Sequence, residues 1–471
     1  LDKYVKVCSL FLCCLIVLYS VPSHAFASAS FSNAEKLQLM TQYAPQVWFD
    51  KDEQYYPSSV EWSFSFLERY KKSGTDEYSL RTKESLDNPN GVLSFFHGNL
   101  NSARVYSFWK QVNPTTADIK YYIWYPYNRG KISKNLESFA SFFGIHGGIG
   151  NHVGDWEGIS IRLENGQPTR TEINYHSWSK MYDWKDIPKV DASHVVTYSA
   201  QGSHGMWKDP GEHEYYQIKV PVLGKIDGLV DKTSKGKAWN TWNALEAYDM
   251  DQKQGLSGKK WPTWMSADTK STLPGKNPAD PMSGGIASWG NEKKGCDSLL
   301  NKVSGECTLS NGPSGPDENS NWSSSYGVNS KISDFMMGES FGGNGGGSFN
   351  DLSKMSSQND VKKIILRTGS RVDQIGVQYT DGLTLRHGGS GGGEKALELG
   401  SNEWISQTTF CKGNTIHYAK IVTNQGRTVS GGNSTNECRV FKAPSGFKIA
   451  GFWGSSGSEL DRVGAVMVPN K

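Results

Sequence analysis

The sequence is short of helix-favouring runs, of basic tracts and of cysteine. It carries no run of Lys and Arg of the kind that forms the electrostatic footprint of a nucleic-acid binder. Its 50 basic and 47 acidic residues leave a net charge of +3, which points to no charged class of partner and excludes an obvious nucleic-acid function. No CxxC spacing occurs among the 7 cysteines, which argues against a structural zinc site. No HExxH is present, so the helix-borne zinc-protease arrangement is absent too. One apolar run stands at the N-terminus, and no second transmembrane candidate follows it.

What the chain has instead is glycine and aromatic residues. There are 52 Gly, 16 Trp, 21 Tyr and 19 Phe in 471 residues. That composition predicts all-β domains with many turns, and the length has room for two or three of them. Lys3 and Lys6 precede "VCSLFLCCLIVLYSV", and small residues follow at Ala25 and Ala27. This is the layout of a secretory signal peptide over residues 1–27, with an apolar core short for a membrane span. The expectation is a secreted, extracellular protein. Cys8, Cys13 and Cys14 fall in that segment, which leaves Cys296, Cys307, Cys411 and Cys438. An even number in an oxidising compartment predicts two disulfides. Of three connectivities, Cys296–Cys307 with Cys411–Cys438 is expected, because each pair then lies within one domain.

Residues 34–43 read as a short helix, and β-branched and aromatic residues mark strands at 60–67, 119–127, 155–163, 193–200 and 214–222. Residues 223–335 read as long ordered loops. Beyond them, glycine turns feeding short strands recur to the end of the chain. The division is a first domain over 28–325, a linker over 326–337 and a second domain over 338–471.

In the second domain, "GGNGGGSFND", "VDQIGVQY", "HGGSGG", "TNQGR" and "GFWGSSGSELDRVGAVMVP" resemble the jacalin-related lectins over the whole stretch. The resemblance implies a β-prism of three sheets. It also implies a sugar site on the GxxxD loop Gly457-Ser458-Glu459-Leu460-Asp461, with the opening glycines Gly342 and Gly343 beside it. Glycine lets backbone N–H groups turn outward, and a carboxylate accepts hydrogen bonds from two sugar hydroxyls. Trp453, ahead of the loop, reads as core.

The first domain contains "GNHVGDWEG" at 150–158. If 155–163 is a strand, Asp155, Glu157, Ile159, Ile161 and Leu163 share one face, and Trp156, Gly158, Ser160 and Arg162 the other. Two carboxylates on an apolar face must be paired with cations, protonated or bound to a metal. His152 lies just upstream, and His204 sits in a glycine turn, "YSAQGSHGMW". Such donors suit Mg²⁺, Ca²⁺ or Mn²⁺; a salt-bridge or hydrogen-bond network is the alternative. His97, His176, His194 and His213 read as structural or exposed, and His146 as a neighbour of His152.

"YAPQVWFDKDEQYYPSSVEW", "YYIWYPYN", "NHVGDWEGISIRL", "YSAQGSHGMW", "ASWGN" and "NGPSGP" look like the Vps62-related proteins. More distantly, the region is similar to the necrosis- and ethylene-inducing toxins, whose GHRHDWE heptapeptide helps hold a divalent cation facing a membrane glycolipid. That similarity implies a cation site at His152, Asp155, Glu157 and His204. It departs at Val153 and Gly154, and it lacks an upstream acidic ligand. The first domain is therefore expected to be a β-sandwich with long loops. The whole reads as a secreted protein whose lectin domain binds cell-surface glycans or glycolipids and whose Vps62-like domain acts at the target membrane as a cytolysin-like effector. Two alternatives are a metal-dependent hydrolase of glycans or phosphoesters, with Asp155 or Glu157 as general base, and a non-catalytic adhesion lectin. Oligomeric state is not readable from the sequence.

Overall fold

The structure is a computed structural model that describes residues 31–71, 78–86, 93–130, 150–176, 178–216, 219–220, 224–225, 229–265, 288–296, 307–313, 315–316, 334–356 and 360–470. The signal segment expected at 1–27, His146 and residues 326–333 of the expected linker lie outside them.

The chain enters on the helix Asn33–Gln42, started by a capping box in which Ser32 and Glu35 bind each other's backbone N–H. Lys36 on this helix makes a buried ion pair with Asp249 at 2.6 Å. Segment 60–67, expected as a strand, is instead the helix Val60–Ser63 followed by the 3₁₀ turn Phe64–Phe66. Local capping decides it: the Ser59 side chain accepts the Trp62 N–H, and the Val60 N–H is taken by the Tyr106 hydroxyl.

The centre of the first domain is an antiparallel meander of strands Val105–Asn113, Thr116–Asn128, His152–Glu164, Gln167–Tyr175 and Trp178–Asp183. One face packs on a smaller sheet of Gln46–Phe49, Val196–Ser199, Met206–Trp207 and Ala238–Asn240. Tyr121, Ile123, Tyr125, Ile159, Ile161 and Ile173 meet Val47, Phe49 and Met206 in that core. The opposite face is covered as well, by an aromatic cluster containing Tyr106, Phe108, Tyr122, Trp124, Trp264 and Trp289, with Trp156 against it. Burial on both faces explains why this domain consumes so many aromatic residues.

The second domain is built of three four-stranded groups. One is the sheet Thr384–Gly388, Val372–Tyr379, Val361–Thr368, Gly393–Glu398. The second is Cys438–Lys442, Ile405–Lys412, Ile416–Thr423 and Thr428–Gly432, and the third is Gly347–Asn350, Phe447–Ser456, Leu460–Pro469 and Phe341–Gly342. The backbone pairing of Ile405 with Ile449 joins the second group to the third. Their inner faces enclose one apolar core, in which Trp453 is fully buried. The architecture is all-β throughout, a sandwich followed by a prism. Disulfides Cys296–Cys307 and Cys411–Cys438 are both formed, as expected.

The junction is itself a strand. Met336–Gly338 pairs with Trp178–Lys180 of the first domain on one side and with Val466 and Met467 of the second on the other. Phe335, Met336 and Met337 are buried with Tyr175, Trp178 and Met181 in the core of the second domain. The end of the segment expected as a linker is thus part of one continuous sheet.

Candidate functional site

Strand alternation in His152–Glu164 works as the sequence requires: Trp156 enters the aromatic cluster, while Asp155 and Glu157 point to the other face beside Tyr125 and Ile123. Asp155 is 6% exposed and accepts from Asn128 Nδ2 at 2.7 Å and from His204 Nδ1 at 3.3 Å. His152 Nε2 stands 3.9 Å from its other oxygen, and His152 Nδ1 is 2.7 Å from the Gly154 carbonyl. His204 is fully buried, stacked on Tyr125 with ring centroids 3.8 Å apart, and its Nε2 has no hydrogen-bond partner among the described residues.

A second acid lies in the same cluster. Asp231 accepts from Ser203 Oγ at 2.6 Å, His176 Nε2 at 2.9 Å and Trp207 Nε1 at 2.8 Å. Asn128 ties the two halves together, since its Nδ2 also donates to the Ser203 carbonyl at 2.9 Å. His176 and His204 both adopt left-handed backbone, at φ 55° and 61°. Such conformations in non-glycine residues are costly and concentrate at functional positions. A Cβ on Gly205 would lie 2.7 Å from Asp231 Oδ2, so a side chain there would displace that carboxylate.

Charge in this cluster is divided unequally. Burial pushes Asp155 up, but the His152 charge and the His204 and Asn128 bonds outweigh it and hold the carboxyl below its usual value. Asp231 behaves alike: burial opposes, and His176, Ser203 and Trp207 prevail. Glu157 goes the other way. Burial, then the charges of Asp155 and Asp231, drive it well above the usual carboxylate range, against one bond from the His176 backbone N–H. The buried network thus holds two carboxyls favoured as anions, Asp155 and Asp231, and one, Glu157, favoured in its protonated form.

The fit to a divalent cation follows from these contacts. Among the described residues, no three His, Cys, Asp or Glu side chains assemble as a metal-holding group. His152, Asp155 and His204 do come together, but they bind one another and Asn128. Glu157 is bonded to the His176 backbone. The expected four-ligand cage is not formed by these side chains. Asn128, His176, Ser203 and Asp231 belong to the cluster and escaped the sequence reading. The aspartate and the asparagine lie in unremarkable strand contexts, and only "GSHG" offered a local signal.

In the second domain the expected loop is assembled at one end of the prism. The turn Gly457–Glu459 links Phe447–Ser456 to Leu460–Pro469, and the Asp461 carboxylate accepts the Gly457 N–H. The opening glycine segment lies against it: Gly343 N–H donates to the Asp461 carbonyl at 2.8 Å. A Cβ on Gly345 or on Gly346 would come within 2.5 Å of a carboxylate oxygen of Asp461, and Gly346 has φ 75°. Only glycine allows that approach. Burial raises the Asp461 carboxyl, with the Glu459 charge adding to it. The Glu459 side chain faces away from this cradle, onto Arg371 and Thr415. Leu460 is buried in the core, so it shapes the loop from inside. Trp453 is core as expected, donating to the Gly338 carbonyl at 2.7 Å.

Comparison with known proteins separates the two domains. The family model of the jacalin-like lectin domain matches residues 338–466, and that of vacuolar protein sorting-associated protein 62 matches residues 85–222. The chain joins a Vps62 domain to a jacalin-like lectin domain. The Vps62 domain is similar to the putative vacuolar protein sorting-associated protein TDA6 of Saccharomyces cerevisiae, 26% identical over 153 residues, which is 29% of this chain and 30% of that protein. The chain thus spans less than a third of that relative. The jacalin-like domain is similar to horcolin of Hordeum vulgare, 29% identical over 149 residues, covering 27% of this chain and 94% of horcolin. Among solved structures, wild-type Malaysian banana lectin is similar to it at 25% identity and TM-score 0.26, covering 28% of this chain and 98% of that one.

Proposed function

We propose that the protein binds glycans at the Asp461 loop of its jacalin-like domain. The observation that carries this is the carboxylate of Asp461, cradled by Gly345, Gly346 and the Gly457 N–H at a prism end. A pyranose with two adjacent hydroxyls satisfies such a carboxylate with two charge-assisted bonds, while glycine backbone N–H groups serve its other oxygens. A glycan array on the full chain is the first test, followed by titration of Asp461→Ala with the best ligand. Loss of the charged partner removes about 1.5–3 kcal/mol, or about 10- to 150-fold in affinity. Unchanged affinity in that variant refutes the assignment.

The reading extends to the Vps62 domain. It is a secreted protein whose lectin domain holds the Vps62 domain against a glycan-bearing membrane, where the latter acts as a cytolysin-like effector. Two disulfides agree with an oxidising compartment. Among the described residues no helix is long and apolar enough to cross a membrane. Dye leakage from glycolipid-bearing vesicles tests the effector role, and binding without leakage leaves an adhesion lectin. Uptake of Ca²⁺, Mg²⁺ or Mn²⁺ in the first domain requires Asp155 to exchange Asn128 and His204 for the ion. Calorimetric titration of the wild type and Asp155→Asn tests it, and absence of binding removes the cation from this reading. The buried position of His204 and Asp155 speaks against the hydrolase alternative, because a substrate has no way to touch them without the cluster opening.

A further inference from the structure

One turn of the second domain combines an acceptor sequence with an open side chain. Asn433-Ser434-Thr435 has the spacing N-x-T with no proline between, the pattern on which asparagine is glycosylated in a secretory compartment. Asn113-Pro114-Thr115 is excluded by its proline, and Asn321-Trp322-Ser323 lies outside the described residues. So short a pattern also arises by chance, and the fold decides whether position 433 has room for the bulk of a glycan.

It has. Residues 433–437 form the turn that runs from Thr428–Gly432 to Cys438–Lys442, and Asn433 and Ser434 are exposed on it. The Asn433 backbone is anchored: its N–H donates to the His417 carbonyl at 2.9 Å and to the Ser370 carbonyl at 3.2 Å. Its side-chain amide makes no hydrogen bond to the described residues, so a substituent on Nδ2 breaks no contact of theirs. Turn asparagines commonly bind back to their own backbone, as Asn99 and Asn113 do with the N–H groups of Asn101 and Thr115. Thr435 is engaged in the folded turn. Its hydroxyl donates to the Lys412 carbonyl at 2.8 Å and takes the Glu437 N–H at 3.3 Å. Three residues on, Cys438 is tied to Cys411. A transferase that reads the Thr435 hydroxyl therefore acts before this turn closes.

The place of the turn gives such a glycan a consequence. Both carbonyls that hold Asn433 belong to neighbours of the Asp461 loop. Ser370 adjoins Arg371, whose Nη1 binds Glu459 at 2.9 Å. His417 follows the turn Gly413–Thr415, and a Cβ on Gly343 would lie 2.0 Å from the Asn414 carbonyl oxygen of that turn. Gly343 itself donates to the Asp461 carbonyl at 2.8 Å. Asn433 is thus rooted on the prism end that carries Asp461.

We propose that Asn433 is an N-glycosylation acceptor and that its glycan serves the Asp461 loop as a ligand in cis. In the transfer, Asn433 Nδ2 attacks the anomeric carbon of a lipid-linked oligosaccharide diphosphate. A bond forms from Nδ2 to that carbon, the bond from that carbon to the diphosphate oxygen breaks, the amide gives up one proton and the lipid diphosphate leaves. The step is redox-neutral. The acceptor role rests on the secreted reading, and the cis role rests on the glycan reading as well. A pyranose tethered at short range is present at about millimolar effective concentration. A site with a dissociation constant of that order is about half occupied by it, so removing it raises apparent affinity about twofold.

The test is expression of the full chain, N-terminal segment included, in eukaryotic cells, with the medium analysed by peptide mass spectrometry. Enzymatic release of an N-glycan converts the modified asparagine to aspartate, which marks the position. The expected result is a glycan on Asn433 in most secreted molecules, lost in Asn433→Gln and Thr435→Ala and kept in Thr435→Ser and Asn321→Gln. Mapping of the Cys411–Cys438 disulfide in each variant separates loss of the acceptor from loss of the fold. Secreted, disulfide-bonded wild type with Asn433 unmodified refutes the acceptor role and leaves the secreted reading standing. A chain retained in the cytosol overturns both. Titration with the best array glycan reads the cis role: Asn433→Gln and enzymatically deglycosylated wild type are expected to bind about twofold more tightly or better. Equal affinity refutes the cis role and leaves the modification. If neither form binds a glycan, the reading of the Asp461 loop and the cis role fall together while the modification stands.

Discussion

Replacing Met336 by alanine tests the claim that the two domains share one sheet. Met336 is 2% exposed, pairs with Lys180 on one side and Met467 on the other, and takes a hydrogen bond from the Tyr175 hydroxyl at its sulfur, at 3.4 Å. Truncating a buried methionine costs about 2–5 kcal/mol, from lost transfer energy plus the cavity left behind. The Tyr175 hydroxyl loses a weak acceptor in a buried place, which adds about 1 kcal/mol. The cavity is flanked on both sides by paired strands that cannot collapse into it, so the sum falls toward the upper end, at about 4–6 kcal/mol. For a urea slope of about 3 kcal/mol/M, the midpoint drops by about 1.5–2 M. Two probes are needed. Of the 16 tryptophans only Trp404 and Trp453 lie beyond residue 338, so fluorescence reports mainly the first domain, and glycan binding reports the lectin domain. Both probes are expected to shift together, in one transition. Two transitions with only one displaced, or a loss below about 1 kcal/mol, would refute a shared sheet and leave two independently stable domains.

Further expectations follow from the buried charges and the cross-links. Glu157 holds its proton in the fold at pH values where the unfolded chain has released it, above about pH 4.3. Wild-type stability therefore declines as pH rises from there until the folded group titrates. Glu157→Gln should match the wild type near pH 4 and melt at a higher temperature at pH 8; equal melting at both refutes the protonated state. Asp155 and Asp231 act oppositely, since their lowered values contribute stability that is present above about pH 3.9 and lost as pH falls through the folded values. Acid titration followed by near-ultraviolet dichroism should show that loss, and Asp231→Asn should abolish part of it. Lys36→Met leaves Asp249 buried without its cation and should cost about 3–5 kcal/mol in chemical unfolding. Reduction of Cys411–Cys438, with a sequence separation of 27, should cost about 3 kcal/mol, with the thermal midpoint of glycan binding as the readout.

Local rules carried much of this molecule. Alternation along 155–163 placed Asp155 and Glu157 on one face and Trp156 on the other, because a strand leaves no other choice. The GxxxD spacing and the opening glycines located the Asp461 cradle, because close backbone approach to a carboxylate demands glycine there. Cysteine pairing within each half also held. The strand pattern at 60–67 misled, because β-branched and aromatic composition was outweighed by the Ser59 cap and by Tyr106, a partner far along the chain.

Partners without local spacing were not legible. Asn128, Ser203, His176 and Asp231 meet Asp155 and His204 only once the strands are laid side by side. His176 was read as structural or exposed, and its left-handed backbone and its bond to Asp231 place it in the buried cluster, a partner no local spacing revealed. A loop conformation of that kind is imposed by packing, not by the residue.

The sequence by itself determined the strand faces, the glycine-lined Asp461 loop and the cysteine pairs, since each rests on alternation, spacing or pairing within one domain. Tertiary structure alone decided the state of the acidic cluster and the join between domains. Whether Glu157 is charged depends on burial and on the summed field of Asp155, Asp231, the His176 backbone and Glu339, which come from four separate places in the chain. Whether residues 336–338 are a tether or a strand depends on two edges, one from each domain, that offer unpaired backbone N–H and C=O groups to the same short segment.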